Sequence, residues 1–277
     1  MKKMNFRTHV EKIFQRAIDE FTSCPEFRAL ESGNARKCDY DRFIVNVVRT
    51  HLRSPQLLAF LFSVAPPEAC KNLLHNMLEE LGIDEADGVS HPSLLHKLAD
   101  GASLSPLMVD LEERAAEDIR QVVVDPLLYP SLREVGLAAL VEIEAFEYML
   151  SRVASRVARA LTTYRKLSPD AVKWFSHHSE VDIQHAEQGL TILEDYIAYY
   201  ELGADEAQTI AEITMRENVF IKRYFGGRGV PRRQTRGAIQ VASARARMGR
   251  DFAQRSRRFI AASFVARELA DRLRKVV

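Results

Sequence analysis

The chain has 277 residues, of which 47% are hydrophobic and 28% charged, so it can bury a large core without metals or disulfides as cross-links. Its 12 glycines and 10 prolines are too few for a turn-rich β architecture. The three cysteines, Cys24, Cys38 and Cys70, form no Cys-x-x-Cys pair, which excludes a zinc ribbon and a disulfide framework.

Neither a secretory signal nor a membrane span is apparent. The N-terminal segment "MKKMNFRTHVEKIFQ" has early positive charge but no apolar stretch behind it. The longest apolar run, "LLAFLFSVA", is too short to cross a bilayer. We therefore expect a cytoplasmic protein with no membrane partner.

Apolar residues that recur at three- and four-residue steps predict helices along most of the chain, and no period-two strand pattern competes with them. The expected fold class is an all-α bundle. The predicted helices cover residues 5–22, about 39–64 with a kink at Pro55, 68–82, a short helix that begins at His91-Pro92, then 130–163, 169–200 and 204–225.

The helix predicted for residues 169–200 contains "WFSHHSEVDIQHAEQ", which holds three of the chain's eight histidines. His178, Asp182 and His185 have i, i+4, i+7 spacing, so their side chains share one stripe of the helix, whereas His177 points elsewhere. Helical bundles build transition-metal sites from such stripes. A solvated polar face is the alternative, and other parts of the chain must decide between them.

Further candidate ligands are acids beside apolar stripes. Glu80 lies at the flank of the apolar stripe of the 68–82 helix, while Glu79 points nearly opposite. His91 follows eleven residues after Glu80 and could return to the same point. The alternative is that both are ordinary surface residues.

Two more acids, Glu144 and Glu147, interrupt the apolar segment "LAALVEIEAFEYMLSRVA". A buried carboxylate without a partner is costly, so at least one of them should contact a cation. Pairing with Arg152 or Arg156 is the structural alternative to a metal, and spacing alone does not exclude it.

The order of these residues resembles that of the haem-oxygenase-like diiron oxidases, relatives of the TenA and PqqC proteins. "LEELGIDEADGVSHPSLLHKL" is similar to that family's acid, loop and His-Pro stretch. "AFEYM" and "FSHHSEVDIQHAEQGLTIL" are similar to its central and last motifs. The resemblance covers roughly residues 10–225 and implies a haem-oxygenase-like helical domain over residues 1–225.

The resemblance also implies two Fe(II) ions, with O2 as co-substrate, and six metal ligands. In the family pattern one iron is bound by Glu80 and His91, the other is served by His178, Asp182 and His185, and Glu147 bridges. Glu147 is preferred to Glu144 because it follows an aromatic residue and stands thirty-one residues before His178. The segment from His51 to Pro55 provides no additional carboxylate, which argues against the subgroup with a seventh ligand.

The implied function is oxidation of a small amine, amino acid or carboxylate by N-oxygenation, oxidative C–C cleavage or decarboxylation, or desaturation. No catalytic acid or base is assigned. The expected partner is a small-molecule substrate; a homodimer is left open, and a nucleic acid is not expected. The alternative is a non-catalytic helical binding or regulatory protein of the same fold, whose basic tail holds an anionic partner.

Residues 226–277 form a predicted Arg-rich helical C-terminal extension beyond the resemblance. From Lys222 onward there are sixteen Lys and Arg against three acids, so the preceding chain carries a compensating net charge of −12. A helical apolar period begins at about residue 255. We expect this helix to pack on the acidic remainder of the chain, and a basic arm for an anionic partner is the alternative.

Deletion of residues 229–277 tests these two interpretations. It should lower thermal stability or solubility without removing iron binding, because all six predicted ligands precede the deletion. Differential scanning calorimetry and iron analysis measure both properties. A truncated chain that is equally stable but has lost a salt-sensitive partner would favour the basic arm.

Overall fold

The expected all-α fold is confirmed by the computed structural model, which describes residues 5–84, 88–124 and 131–226, without the side chains of 121–124 and 180–184. Within these ranges every regular element is helical. They are α1 (Phe6–Ser23), α2 (Pro25–Ser32), α3 (Lys37–His51), α4 (Ser54–Val64), α5 (Pro67–Glu80), α6 (His91–Gly101), a 3-10 turn (Ser105–Leu107), α7 (Met108–Val124), α8 (Leu132–Thr163), α9 (Lys173–Tyr199), α10 (Ala204–Thr214) and α11 (Val219–Phe225).

Two predicted helices are each divided in the structure. The predicted kink at Pro55 is wrong: α3 ends at His51 and α4 begins at Ser54, with Pro55 in the first turn, where its missing N–H breaks no helical hydrogen bond. The helix predicted for 204–225 is interrupted before α11. There Asn218 adopts a left-handed conformation (φ 45°), and its side chain accepts a hydrogen bond from the Ile221 N–H at 3.2 Å.

The predicted boundary between the helical domain and the Arg-rich extension is not tested, because residues 227–277 lie outside the described part of the chain. The helices α2 and α7 were not predicted at all. Among the described residues, no helix combines the length and apolar character that a bilayer crossing requires.

The helices α8 and α9 form the most extensively packed pair, and they carry most of the candidate site. Along α8 the buried side chains are mainly Val, Leu, Ala and Ile, at the spacing of a helix that is covered on several sides. Ion pairs tie the outer helices to this pair: Arg156 of α8 makes a bidentate contact with Glu31 at 2.6 and 2.8 Å. The long helices therefore hold their relative register through both apolar packing and fixed polar contacts.

A glycine allows α8 and α9 to approach closely near one end of the pair. A Cβ added at Gly136 would overlap the Tyr196 hydroxyl, and it would also lie 3.2 Å from Val64 Cγ2. Tyr196 is only 1% exposed, and its hydroxyl donates to the Arg133 carbonyl at 3.0 Å, so the ring has little freedom to move away. The spacing of the two helices thus depends on the absence of a side chain at position 136.

We expect Gly136→Ala to destabilise the protein by about 1–3 kcal/mol, because overpacking outweighs the gain in helix propensity. Tyr196→Phe removes the overlapping oxygen and should recover part of that loss in the double variant. Urea unfolding of the wild type, both single variants and the double variant measures the coupling. Additive effects of the two substitutions would contradict the close approach.

Candidate metal centre

Three predicted ligands, Glu80, His91 and His178, lie together in the protein interior. Their side chains come from the end of α5, the start of α6 and the second turn of α9, and they are 7%, 4% and 3% exposed. One ligand atom from each lies within 4.8 Å of the other two. The Glu80 Oε1 to His91 Nδ1 distance is 2.9 Å, so these two buried side chains are in direct contact.

The chain between α5 and α6 explains how Glu80 and His91 meet. Just after α5, Gly82 adopts a left-handed conformation (φ 73°), and an added Cβ there would lie 2.6 Å from the Ser90 backbone nitrogen. Ser90 then caps α6, because its side chain accepts a hydrogen bond from the Ser93 N–H. Glycine at 82 therefore lets the start of α6 return against the end of α5.

Hydrogen bonds orient both ends of this cluster. The Ser54 hydroxyl donates to Glu80 Oε2 at 2.5 Å. His178 Nδ1 lies 2.7 Å from the Trp174 carbonyl, which can only accept, so Nδ1 carries the proton and Nε2 presents its lone pair. Fixing the tautomer in this way is typical of histidines that bind metals.

Opposing effects act on the charges of the cluster. Burial alone raises the pKa of Glu80, but the neighbouring His91 and the hydrogen bonds from His91 and Ser54 outweigh it and hold that pKa below its usual range. Burial lowers the pKa of His178 far below its usual value, and the nearby His91 lowers it further. The site thus favours an ionised carboxylate beside a neutral imidazole, which are the forms that bind a metal.

A second cluster surrounds His185 of α9. Its Nε2 lies 3.0 Å from Glu79 Oε2, and its Nδ1 lies 3.8 Å from Glu147 Oε2. Although burial lowers the pKa of His185, the carboxylates of Glu147 and Glu79 raise it to about 10. Without a metal, an imidazolium is therefore the positive charge that balances these two acids.

Glu144 lies one helical turn before Glu147 and is 4% exposed. Its carboxyl occupies the space above Gly189 of α9, because an added Cβ at Gly189 would overlap it. Burial raises the pKa of Glu144 well above its usual range, and the Glu147 charge adds to this. This environment therefore favours the neutral form of the Glu144 carboxyl.

The alternative that Arg152 or Arg156 neutralises these acids is wrong. Arg156 pairs with Glu31, and Arg152 stacks over the Tyr148 ring at 3.4 Å and donates to the Tyr148 carbonyl. Glu147 Oε2 is buried and has no hydrogen-bond partner among the described residues. A buried carboxylate oxygen that makes no hydrogen bond and has the His185 imidazole 3.8 Å away is suited to bind a metal cation.

The structure groups the ligands differently from the family pattern. His178 lies with Glu80 and His91 and not with His185. The two histidines are seven residues apart on α9, which places their backbone positions about 10 Å apart along the helix axis. Glu79, to which the sequence analysis preferred Glu80, contacts His185 from the last turn of α5. His177, excluded from the stripe, has its ring 5.0 Å from that of His91. The Asp182 side chain lies outside the described residues, so its prediction is not tested.

The donor set fits iron. Carboxylate and imidazole ligands with their tautomers fixed suit Fe(II), whereas no thiolate that would select a softer site is present in either cluster. Glu80, Glu147 and His178 also line a cavity of about 70 Å³. Both clusters therefore reach the same internal space, where a small molecule could meet a bound metal.

Comparison with known families agrees with this chemistry. A family profile described as "iron-containing redox enzyme" matches residues 41–217, nearly two thirds of the chain and a range that contains all six predicted ligands. No curated protein sequence matches the chain.

The same cavity is lined by His51, an imidazole outside both clusters. His51 Nε2 lies 2.7 Å from the Tyr224 hydroxyl, and its ring packs against Phe146 and Trp174. Burial lowers the pKa of His51 to about 3. Since the unfolded chain protonates this group near pH 6.5, its contribution favours the folded state above that pH and is lost progressively as the pH falls toward 3.

We therefore expect His51→Gln to weaken the acid sensitivity of the metal-free protein. Between pH 7.5 and 5.5 the wild type should lose about 1.4 kcal/mol more unfolding free energy than the variant, since one pH unit of that interval lies below 6.5. Urea unfolding in EDTA measures this, with the exposed His96→Gln as control. Equal losses in the wild type and His51→Gln would contradict the interpretation.

Proposed function

Because the chain belongs to the family of iron-containing redox enzymes, we propose that it is an O2-dependent oxidoreductase with two non-haem Fe(II) ions. The observation that carries the proposal is the buried cluster of Glu80, His91 and His178, next to a second cluster of acids around His185. Buried ionic groups are costly to desolvate, and apolar residues in their place would stabilise the fold equally well. The stability of the fold therefore does not explain the two clusters, whereas binding of a catalytic metal does.

We propose the six ligands of the family pattern, regrouped by the geometry. One iron would be held by Glu80, His91 and His178, and the other by Glu147 and His185, with Glu79 as a further carboxylate. Asp182 is assigned to the second iron from the family pattern alone, because its side chain lies outside the described residues. When bound, the irons supply reduction of O2, which no protein side chain can perform. The carboxylate of Glu147 lines the cavity and lies 3.8 Å from His185, which supports its assignment as a ligand beside His185.

The chain's own residues orient the ligands and exclude water. Ser54 fixes the Glu80 carboxylate, and the Trp174 carbonyl fixes the His178 ring, so neither ligand must reorganise to bind. The apolar side chains around the cavity keep bulk water from the reacting centre. The cavity suits a small substrate, and we propose the amine, amino-acid and carboxylate classes that the family resemblance implies.

The non-catalytic alternative depends on the basic extension, which lies outside the described residues. Among the described residues, the observation that separates the two functions is the pair of buried ligand clusters, and it favours the enzyme. Metal binding is therefore the property to test first.

We expect the anaerobic protein to bind close to two Fe(II) and to consume O2. His91→Ala should weaken binding of one iron by about tenfold or more and abolish O2 consumption, because it removes a ligand from a buried site. His96→Ala on the same helix is the matched control, since His96 is exposed and pairs with Glu112. Iron analysis and an oxygen electrode measure both properties.

Equal iron content in the two variants would contradict the assignment of His91. Circular dichroism should show the same helical content in both, because loss of a ligand affects metal affinity more than core packing. A wild-type protein that binds no iron after anaerobic reconstitution would contradict the proposed function itself.

A further inference from the structure

Three arginines line the cavity beside the candidate metal centre, and two of them are neutralised by carboxylates. Arg49 makes a bidentate contact with Asp118, with both distances at 2.7 Å. Arg223 donates to Glu142 from two nitrogens, at 3.0 and 2.7 Å. These pairs satisfy the guanidinium groups within the fold, so neither arginine needs a ligand.

The third arginine, Arg53, forms no ion pair with any described residue, and its Nε is buried without a hydrogen-bond partner. Arg53 is also the N-cap residue of α4, a helix whose N-terminus receives no side-chain cap. The positive end of the helix dipole therefore reinforces the guanidinium charge at this point of the cavity wall. A buried donor without an acceptor is costly unless a ligand supplies one.

Arg53 directly precedes Ser54, the residue that holds the Glu80 carboxylate of the candidate metal centre. Its neighbour Ser54 donates to Glu80 Oε2 at 2.5 Å, and all three residues line the cavity. Between the polar groups the wall is formed by apolar side chains, among them Leu57, Ile143 and Phe146. A molecule that fills the cavity would thus meet a cation, a metal site and an apolar surface.

We propose that Arg53 binds the carboxylate of the substrate, which is an aliphatic carboxylic acid or amino acid. The planar guanidinium matches a carboxylate bidentately, and the apolar wall accommodates a short carbon chain. A simple amine is disfavoured because its ammonium group would face an unpaired cation. This inference rests on the proposed function and narrows its substrate to carboxylates.

The test compares butanoate with its neutral analogue butanamide by calorimetric titration of the full-length protein. EDTA-treated protein is decisive, because no iron is present to bind the carboxylate directly, and Fe(II)-loaded protein is titrated anaerobically in parallel. Arg53→Met should weaken butanoate binding by about tenfold or more and leave butanamide unchanged, as expected for loss of a charge-assisted hydrogen bond. Arg53→Lys should restore part of the affinity.

Arg114→Met is the matched control, because Arg114 is exposed and removal of its charge leaves the cavity intact. Three results would overturn the inference. Butanoate could bind Arg53→Met and Arg53→Lys as tightly as it binds the wild type, it could bind the wild type no better than butanamide does, or it could fail to bind at all. Iron analysis of the same samples separates the two proposals. A wild type that binds butanoate through Arg53 but holds no iron would overturn the proposed function and keep the carboxylate site.

Discussion

The burial of several acids beside a few imidazoles is the constraint on which the site depends. Carboxylates removed from water are costly unless a positive charge or a proton compensates them. The protein meets this need in two ways: burial raises the pKa of Glu144, which favours its neutral form, and the neighbouring carboxylates raise the pKa of His185 to about 10, which favours its charged form. Glu147 Oε2 still has no hydrogen-bond partner among the described residues. A bound cation would compensate these acids more directly than protons do.

The geometry of helices determines how the ligands divide. The helix α9 presents His178 and His185 about 10 Å apart along its axis, which is too far for one ion and suitable for two neighbouring ones. The end of α5 supplies consecutive acids, Glu79 toward His185 and Glu80 toward His91, because the last turn of a helix can direct adjacent residues to different neighbours. The close pairing of α8 and α9 then brings Glu147 to the same cavity. Four helices, α5, α6, α8 and α9, thus place the two clusters side by side.

Sequence reasoning predicted the helical fold, since helix periodicity is visible in the sequence. The family resemblance supplied Glu80, His91 and His178 as ligands, but it assigned His178 to the other iron. Sequence reasoning did not predict which cluster each histidine joins, because spacing on one helix says nothing about the facing helices. Glu80 was preferred to Glu79 because, on an ideal helix, the side chain of Glu79 points nearly opposite to the apolar stripe. The division at Pro55 was missed because a proline in the first turn of a new helix and a proline in a kink leave the same sequence signal.

The cavity links the site to a substrate through Arg53, whose charge is visible in the sequence but whose lack of a partner is visible only in the structure.

The central claim is that the two clusters hold two irons. A crystal structure of anaerobically Fe(II)-loaded protein, with anomalous scattering recorded at the iron edge, tests it most directly. We expect two peaks, one among Glu80, His91 and His178 and a second beside Glu147 and His185. No peak at these residues, or iron bound only elsewhere on the chain, would contradict the account.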